Sequence, residues 1–204
     1  MFRTSWRLVT LLLVGVVLVG CDSFLAPERE RTDDSITVIN VDPDAPPLQS
    51  MEIPFWIVRG EERVVEIRYT GTDGYNGKCL RLVIPANAPL RDADGRPIAP
   101  GDSIQATIRV IDAGLFLFDL EPAGLVLNPA APARMEIRYR WMSEDVNGDG
   151  VVDGADARAR DRFGIWARDP LTQLWSSIEA TRLVDIDEIH APITLFTRYA
   201  LASD

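Results

Sequence analysis

The chain has 204 residues and a formal net charge of −10, with 47% hydrophobic and 25% charged side chains. Such an acidic chain repels the phosphates of nucleic acid, so a nucleic-acid partner is not expected. The apolar fraction is close to that of ordinary globular proteins, and the length suffices for one good hydrophobic core or two small ones.

The first twenty residues have the pattern of a signal peptide. Arg3 and Arg7 supply a positive start, and Leu8 to Gly20 is an apolar run interrupted only by Thr10. Because a membrane-spanning helix needs roughly 20 apolar residues, this run is too short to cross a bilayer. Residues 1–20 are therefore predicted to be removed, which leaves 19 basic and 31 acidic side chains.

The end of this segment, Leu18-Val19-Gly20-Cys21, resembles a bacterial lipobox. The resemblance implies cleavage before Cys21, a diacylglycerol on its thiol, and a fatty acid such as palmitate on the new amino terminus. More than one acyl chain is needed for lasting attachment, so the protein is expected to be anchored in the bacterial cell envelope, facing the periplasm or the cell surface. The alternative is an ordinary secretory signal with an incidental Cys21, and the choice between inner and outer membrane stays open.

Residues 21–34 are charged and lack periodicity, which predicts a flexible tether before a domain over residues 35–204. If Cys21 carries lipid, Cys79 has no disulfide partner and is expected to be a buried thiol. An acidic turn at Asp92-Ala93-Asp94-Gly95 lacks the later ligands of a cation site and is interpreted as a loop.

Alternation of apolar and polar residues at period two dominates the domain and predicts β-strands. In the clearest stretch, Arg134 to Trp141, Met135 and Ile137 share one face, while Glu136 and Arg138 are assigned to the solvent face. Similar stretches are Ile36–Val41, Ile53–Val58, Arg63–Tyr69, Leu80–Ile84, Ile104–Ile111, Leu115–Leu120, Phe163–Ala167, Gln173–Thr181 and Ala191–Tyr199. The predicted fold is all-β, an antiparallel two-sheet β-sandwich, with a partly open barrel as the alternative.

Two turns between these stretches are predicted to be hairpins. Gly60-Glu61-Glu62 joins the second and third stretches, and Arg168-Asp169-Pro170 follows Phe163–Ala167. Trp166 and Trp175 flank the second hairpin, where packing is favoured over stacking on sugar rings.

Residues 145–156 have the spacing of a calcium-binding loop. Calcium takes 6–8 oxygen ligands, and a twelve-residue loop supplies them from fixed positions with a glycine at position 6, here Gly150. The predicted ligands at positions 1, 3, 5, 7, 9 and 12 are Asp145, Asn147, Asp149, the Val151 carbonyl, Asp153 and Asp156. An affinity of about 0.1–1 mM is expected, and the alternative is a metal-free acidic turn.

The flanks of this loop are unusual for a calcium-binding motif. Asp156 at position 12 resembles the calcium repeats of dockerins, whereas most helix-loop-helix sites have glutamate there. A predicted strand precedes the loop instead of an entering helix, and a short helical turn is predicted at Ala155–Arg162. Because only one copy exists, a cohesin-type partner is not expected. The loop is interpreted as a calcium-binding insertion in a sandwich.

Residues from about Lys78 to Leu201 resemble bacterial relatives of the ZU-type domain, a β-sandwich found in ankyrins, zonula occludens proteins and netrin receptors of the Unc-five group. The matching pieces are Leu82–Ala88, Leu120–Leu127, Ala133–Tyr139 and Leu195–Leu201. Some members cleave themselves at His-Phe-Ser, but this chain has Leu195-Phe196-Thr197. The nearest histidine, His190, is five positions before Leu195. That is about 16 Å along a strand, so self-cleavage is not expected.

These features predict a non-enzymatic, calcium-stabilised binding or structural module of the envelope. Its partner would be an envelope protein or a glycan, and it could be an accessory piece of a larger envelope assembly. The alternative is a carbohydrate-active or other envelope enzyme that uses Asp and Glu in acid–base chemistry. The chain lacks the Gly-x-Ser-x-Gly and His-Glu-x-x-His patterns that would indicate a hydrolase.

Overall fold

The computed structural model describes residues 30–72 and 77–204. The predicted signal peptide, Cys21 and the tether up to residue 29 lie outside the described residues. The strands are β1 (Thr37–Val38), β2 (Glu52–Val58), β3 (Arg63–Arg68), β4 (Lys78–Ile84), β5 (Pro89–Arg91), β6 (Ser103–Val110), β7 (Leu117–Glu121), β8 (Val126–Leu127), β9 (Ala133–Arg138), β10 (Gly164–Arg168), β11 (Trp175–Ile178), β12 (Thr181–Leu183), β13 (Glu188–Ile193) and β14 (Arg198–Ser203). The α-helix α1 spans Gly154–Arg162, and short 3-10 turns cover Asp33–Ser35 and Val184–Ile186.

The strands form two main antiparallel sheets. The larger sheet has the order β11-β10-β14-β7-β6-β2, with β1 added to β14, and the smaller sheet has the order β12-β13-β9-β4-β3. A further pair is formed by β5 and β8. This arrangement confirms the prediction of an all-β, sandwich-like fold rather than a closed barrel. In the described part of the chain, no helix has both the length and the apolar character required to cross a bilayer.

The core lies between the inner faces of the two sheets, where the alternating apolar residues meet. Burying each such side chain stabilises the fold by about 1.5–3 kcal/mol. The fully buried residues include Ile57, Ile108, Phe118, Leu120 and Leu201 from the larger sheet and Ile67, Leu80, Leu82, Met135 and Ile137 from the smaller one. The period-two pattern therefore identified the inward face of these strands.

Three of the predicted elements are wrong. The turn at Gly60 is not a hairpin, because β2 pairs with β6 in the larger sheet and β3 pairs with β4 in the smaller one. The stretch Ala191–Tyr199 is not one strand, because β13 ends at Ile193 in the smaller sheet and β14 begins at Arg198 in the larger one. The stretch Gln173–Thr181 is not one strand either, because β11 ends at Ile178 in the larger sheet and β12 begins at Thr181 in the smaller one. In all three places the chain crosses between sheets, and alternation along one segment does not reveal such a crossing. The β10–β11 hairpin is confirmed.

A second, smaller apolar cluster covers part of the outer face of the larger sheet. Trp166 and Trp175 pack there with Ile36, Ala200 and Ala202, so the prediction that both tryptophans pack is confirmed. The chain segment just before β1 lies across this cluster and is held by backbone and side-chain hydrogen bonds.

The residues that hold this segment belong to the end of the predicted tether. The N–H of Arg31 donates to the Trp175 carbonyl (2.8 Å), and the N–H of Trp175 donates back to the Arg31 carbonyl (2.7 Å). The Asp33 carboxylate accepts a hydrogen bond from the Trp175 indole (2.6 Å) and pairs with Arg168 (2.9 Å). Residues 31–34 are thus part of the folded domain.

Candidate calcium loop and neighbouring clusters

The loop 145–156 connects the end of β9 to the start of α1. No helix precedes it, because β9 ends at Arg138 and a short turn follows, from which Met142 forms a β-bridge with Val41. The helix α1 begins at Gly154, one residue before the predicted start, and ends at Arg162 as predicted. The loop is therefore flanked by a strand and a short helix, as the sequence predicted.

The first half of the loop turns around the carboxylate of Asp145. Its Oδ1 accepts the N–H of Gly148 (2.8 Å) and its Oδ2 accepts the N–H of Gly150 (2.9 Å). Both glycines have positive φ, +75° and +85°, a region that residues with a Cβ rarely occupy. The sharp turn predicted at position 6 is thus present at Gly150.

The middle of the loop is exposed and is held by short side-chain bonds. The Asn147 amide oxygen accepts the N–H of Asp149 (2.9 Å), while its amide nitrogen donates to Asp149 Oδ2 (3.1 Å). Asp149 Oδ1 accepts the N–H of Val151 (2.9 Å). Each carboxylate oxygen has a second lone pair, so these bonds leave the oxygens able to coordinate a cation.

The last position, Asp156, is the most enclosed of the predicted ligands, with 2% of its surface exposed. Its Oδ1 accepts the N–H groups of Val146 (2.8 Å) and Asn147 (3.2 Å), and its Oδ2 accepts that of Asp153 (2.8 Å). The bond from Asp153, followed by those from Asn147 and Val146, lowers the pKa of the Asp156 carboxyl below its ordinary value. Asp156 therefore joins the two ends of the loop, a role that its sequence position did not reveal.

Asp153 begins α1. Its side chain accepts the N–H of Ala155 (2.6 Å) and forms a reciprocal capping box with Asp156. Capping bonds of this kind satisfy N–H groups that a helix leaves unpaired at its start. The last two predicted ligands thus also fix the start of the helix.

The loop rests on the sandwich through Val146 and Asn40. Val146 is fully buried in the main core. Its carbonyl accepts both the backbone N–H and the side-chain amide of Asn40 (3.1 Å each). The order of the loop is consequently coupled to the packing of the domain.

The predicted ligands are close in sequence, but in the described structure no three loop carboxylates have oxygen atoms within 4.8 Å of one another. Among the described residues, the set of Asp, Glu, His or Cys side chains whose ligand atoms all lie within 4.8 Å of one another is Glu136, Glu188 and His190. The loop contributes the hard oxygen ligands that Ca²⁺ prefers, so the donor chemistry fits. Binding would have to draw the carboxylates of positions 1, 5 and 12 together.

The Glu136–Glu188–His190 group lies on the outer face of the smaller sheet, and sequence reasoning missed it. Lys78 Nζ is 2.9 Å from Glu136 Oε2 and 2.6 Å from Glu188 Oε1, and His190 Nε2 is 2.8 Å from Glu188 Oε2. Lys78, Glu136 and Glu188 are all buried. A metal ion could use these ligands only by displacing the ammonium group that already neutralises both carboxylates.

Further arginines surround the same group, so its local charge is positive. Arg138 Nη1 is 3.7 Å from Glu188, and Arg81 and Arg134 contact Glu136 at 3.6 Å and 2.8 Å. Burial opposes ionisation of Glu136, but the hydrogen bond and charge of Lys78 overcome it and lower the pKa of this carboxyl. The arrangement suits a compensated ion network better than a site for a divalent cation.

The enzyme alternative would require carboxylates in a cleft, and the larger sheet has a cleft of about 190 Å³. Asp119 lines this cleft and is bound through both oxygens by Arg198 (2.6 and 2.8 Å). Ligand sites usually measure roughly 300–1,000 Å³, so the cleft is small. A salt-bridged carboxylate is also a poor general acid, so this cleft gives no support to acid–base chemistry, which stays a hypothesis.

The residues at the position of the self-cleavage motif make other contacts. The Thr197 hydroxyl donates to the Arg168 carbonyl, and His190 contacts Glu188 on the same strand, β13. The Cys79 thiol is buried, and that burial raises its pKa to about 12 although a hydrogen bond with Tyr69 opposes the effect. Thr197 and Cys79 therefore both lack the activated surroundings of a nucleophile.

No protein-family model, curated protein or solved structure matches this chain. The resemblances to the lipobox, the ZU-type domain and the dockerin loop therefore stay predictions from sequence.

Proposed function

We propose that this protein is a non-enzymatic, lipid-anchored module of the bacterial cell envelope whose β-sandwich is stabilised by Ca²⁺ at residues 145–156. One observation carries the proposal. The Asp145 carboxylate gathers the N–H groups of Gly148 and Gly150, both at positive φ, and so bends the predicted ligand loop around its first ligand.

Calcium would stabilise the whole domain because both ends of the loop are tied to it. Asp145, Asp149, Asp153 and Asp156 place four negative charges within twelve residues. A bound cation relieves their mutual repulsion. Because a ligand that binds only the folded state raises the free energy of unfolding, calcium would stabilise the domain. Val146 in the core transmits that ordering to the sandwich.

The anchor at Cys21 would hold the domain close to a membrane. Arg31 follows Cys21 by ten positions, and an extended chain spans at most about 3.6 Å per position, so Arg31 would remain within about 36 Å of the lipidated cysteine. At this distance a partner in the envelope is accessible. Supporting features are the lipobox-like Leu18–Cys21 and the acidic composition, which disfavours nucleic acid.

Calorimetric titration with Ca²⁺ tests the metal part of the proposal. A dissociation constant of about 0.1–1 mM is expected, with weaker binding of Mg²⁺, which demands stricter octahedral geometry. The double variant Asp145→Asn/Asp149→Asn should lose the binding. The control variant Asp92→Asn/Asp94→Asn removes the same amount of charge from the other acidic turn and should still bind Ca²⁺. Unchanged heats in the loop variant would refute the calcium site.

Mass spectrometry of the amino-terminal peptide tests the anchor. Acyl chains on Cys21 and loss of membrane attachment in Cys21→Ser are expected. An unmodified peptide would contradict it. Cross-linking in native membranes, followed by purification, then identifies the envelope protein or glycan that the module contacts, and the absence of any partner would argue against a binding role.

A further inference from the structure

Two arginines on α1 form no ion pair with the described part of the chain, although the chain is strongly acidic. Arg158 and Arg162 are one helical turn apart and exposed. Within residues 30–72 and 77–204, no carboxylate lies within 4.0 Å of either guanidinium group. Their charge is therefore available to an external anion.

Two exposed apolar residues stand directly before the helix. Val151 and Val152 are 59% and 63% exposed, and only Asp153 separates them from Gly154, the first residue of α1. The guanidinium group of Arg158 lies over this first turn, since its Nη1 is 3.4 Å from the position that a Cβ would occupy at Gly154. We call the surface formed by Val151, Val152, Arg158 and Arg162 the α1 tip.

The α1 tip is fixed to the sandwich by neighbouring arginines. Arg160 donates to the carbonyl of Ser143 (3.0 Å) at the start of the loop. Arg182 donates to the Arg160 carbonyl (3.4 Å), and its guanidinium carbon lies 3.7 Å from the centre of the Phe163 ring. The helix therefore presents the tip in a defined orientation.

The first described residues of the chain lie beside the same surface. Arg158 and Arg162 line a cleft of about 190 Å³ together with Thr37 and Asp204. Asp204 forms an ion pair with Arg31 (2.8 Å), which is the second described residue and lies within the predicted tether. The end of the predicted tether that joins the domain is thus next to the α1 tip.

We propose that the α1 tip docks on the anionic phospholipid headgroups of the membrane that carries the anchor, as a second, electrostatic contact. Arginine suits phosphate recognition, and the exposed valines can insert between headgroups beside it. A single short tether keeps this surface within reach of the bilayer. The inference rests on the lipid anchor of the proposed function.

Calcium in the adjacent loop would strengthen this contact. Asp145 and Asp149 precede the α1 tip in sequence, Asp153 lies between its valines and its arginines, and the charge of these carboxylates repels anionic lipid. A bound Ca²⁺ removes two units of that negative charge, so docking should increase with calcium.

Fluorescence of the full chain in vesicles tests the docking. The chain is purified from membranes, its lipid verified by mass spectrometry, and an environment-sensitive dye attached at Val152→Cys. It is then reconstituted into phosphatidylcholine alone or mixed with phosphatidylglycerol. A blue-shifted emission is expected only in the anionic vesicles, and it should weaken at high salt or after calcium removal.

Arg158→Gln/Arg162→Gln should lower the ratio of docked to undocked protein about 25-fold, since each arginine near an anionic surface contributes roughly a 5-fold change. The matched control Arg63→Gln/Arg91→Gln removes two other exposed arginines that lack a carboxylate neighbour among the described residues, and it should dock like the unaltered chain.

Three results would overturn the proposal. The first is equal emission in both kinds of vesicle, and the second is an equal loss of docking in Arg63→Gln/Arg91→Gln. The third is a blue shift that requires added envelope proteins, which would assign the tip to a protein partner. If the amino-terminal peptide carries no lipid, the anchor of the proposed function fails separately. Co-sedimentation of the unanchored chain with the same two kinds of vesicle then tests the α1 tip alone.

Discussion

Lys78→Met should destabilise the protein strongly, because Lys78 neutralises two buried carboxylates. Its Nζ lies 2.9 Å from Glu136 and 2.6 Å from Glu188, and the three side chains are only 6%, 4% and 1% exposed. Removing one partner of a buried ion pair typically costs about 3–5 kcal/mol, since the remaining charge stays buried. We expect a loss in this range at neutral pH, measured by urea denaturation with an unchanged slope.

The pH dependence of this variant has a definite sign. In the unaltered protein Lys78 lowers the pKa of Glu136, so this contribution is present above the ordinary carboxyl pKa of about 4.3 and is lost as the pH falls below it. Without Lys78, burial still opposes ionisation of Glu136 and only Arg134 and Arg81 remain to favour it. The stability gained as the pH rises through the carboxyl range should therefore be smaller in Lys78→Met than in the unaltered protein.

Arg134→Met is the matched control. Arg134 Nε is 2.8 Å from the other oxygen of Glu136, but its side chain is 54% exposed. An exposed ion pair contributes below about 1 kcal/mol. Equal losses in Lys78→Met and Arg134→Met, or the same pH dependence in Lys78→Met as in the unaltered protein, would refute the view that burial makes this network important.

Three further outcomes follow from the geometry. Gly148→Ala should lower the free energy of unfolding, measured by urea denaturation, by about 2 kcal/mol, because its positive φ is strained for alanine and a Cβ would lie 2.4 Å from the side-chain amide of Asn40. Gly95→Ala also has a positive φ but a Cβ there meets open space, so it should lower that free energy by only about 1 kcal/mol. Equal losses in the two variants would contradict the clash. The Cys79 thiol should react with a disulfide reagent only after denaturation, and labelling of the folded protein would contradict its burial. The unaltered chain and Thr197→Val should both remain uncleaved in mass spectra, and a cleaved product of the unaltered chain that disappears in the variant would revive self-cleavage.

Alternation along single strands predicted much of the fold. Met135 and Ile137 are buried in the core as expected, and the same holds for the inward residues of the other long strands. Short strands such as β5, β8 and β12 were not predicted, because two or three residues carry too little periodicity. Fold class is thus readable from this sequence, whereas sheet membership depends on crossings that alternation does not encode.

Burial on the outer faces of the sheets could not be predicted from one sequence. Glu136 and Arg138 alternate with core residues and were assigned to solvent, yet they are 3% and 4% exposed. Their partners come from β13 and β4, where Glu136 stands opposite His190 and Arg81. Only the strand register brings these charges together.

The calcium loop was predictable because its information is local. The spacing of its polar residues, the glycine at position 6 and the following helix are all contained within about twenty residues. The support by Asn40 and the closure by Asp156 depend on the folded structure. The α1 tip likewise emerged only from the folded structure, in which no carboxylate of the described residues lies within 4.0 Å of the Arg158 or Arg162 guanidinium group.

Thermal unfolding with and without Ca²⁺ tests the central claim most directly. With a dissociation constant of about 0.1–1 mM, 10 mM Ca²⁺ should raise the free energy of unfolding by about 1.4–2.7 kcal/mol. For a domain of this size that corresponds to a rise in Tm of about 3–10 °C. The rise should vanish in Asp145→Asn/Asp149→Asn and persist in Asp92→Asn/Asp94→Asn. A Tm that does not respond to calcium in the unaltered protein would contradict a calcium-stabilised sandwich.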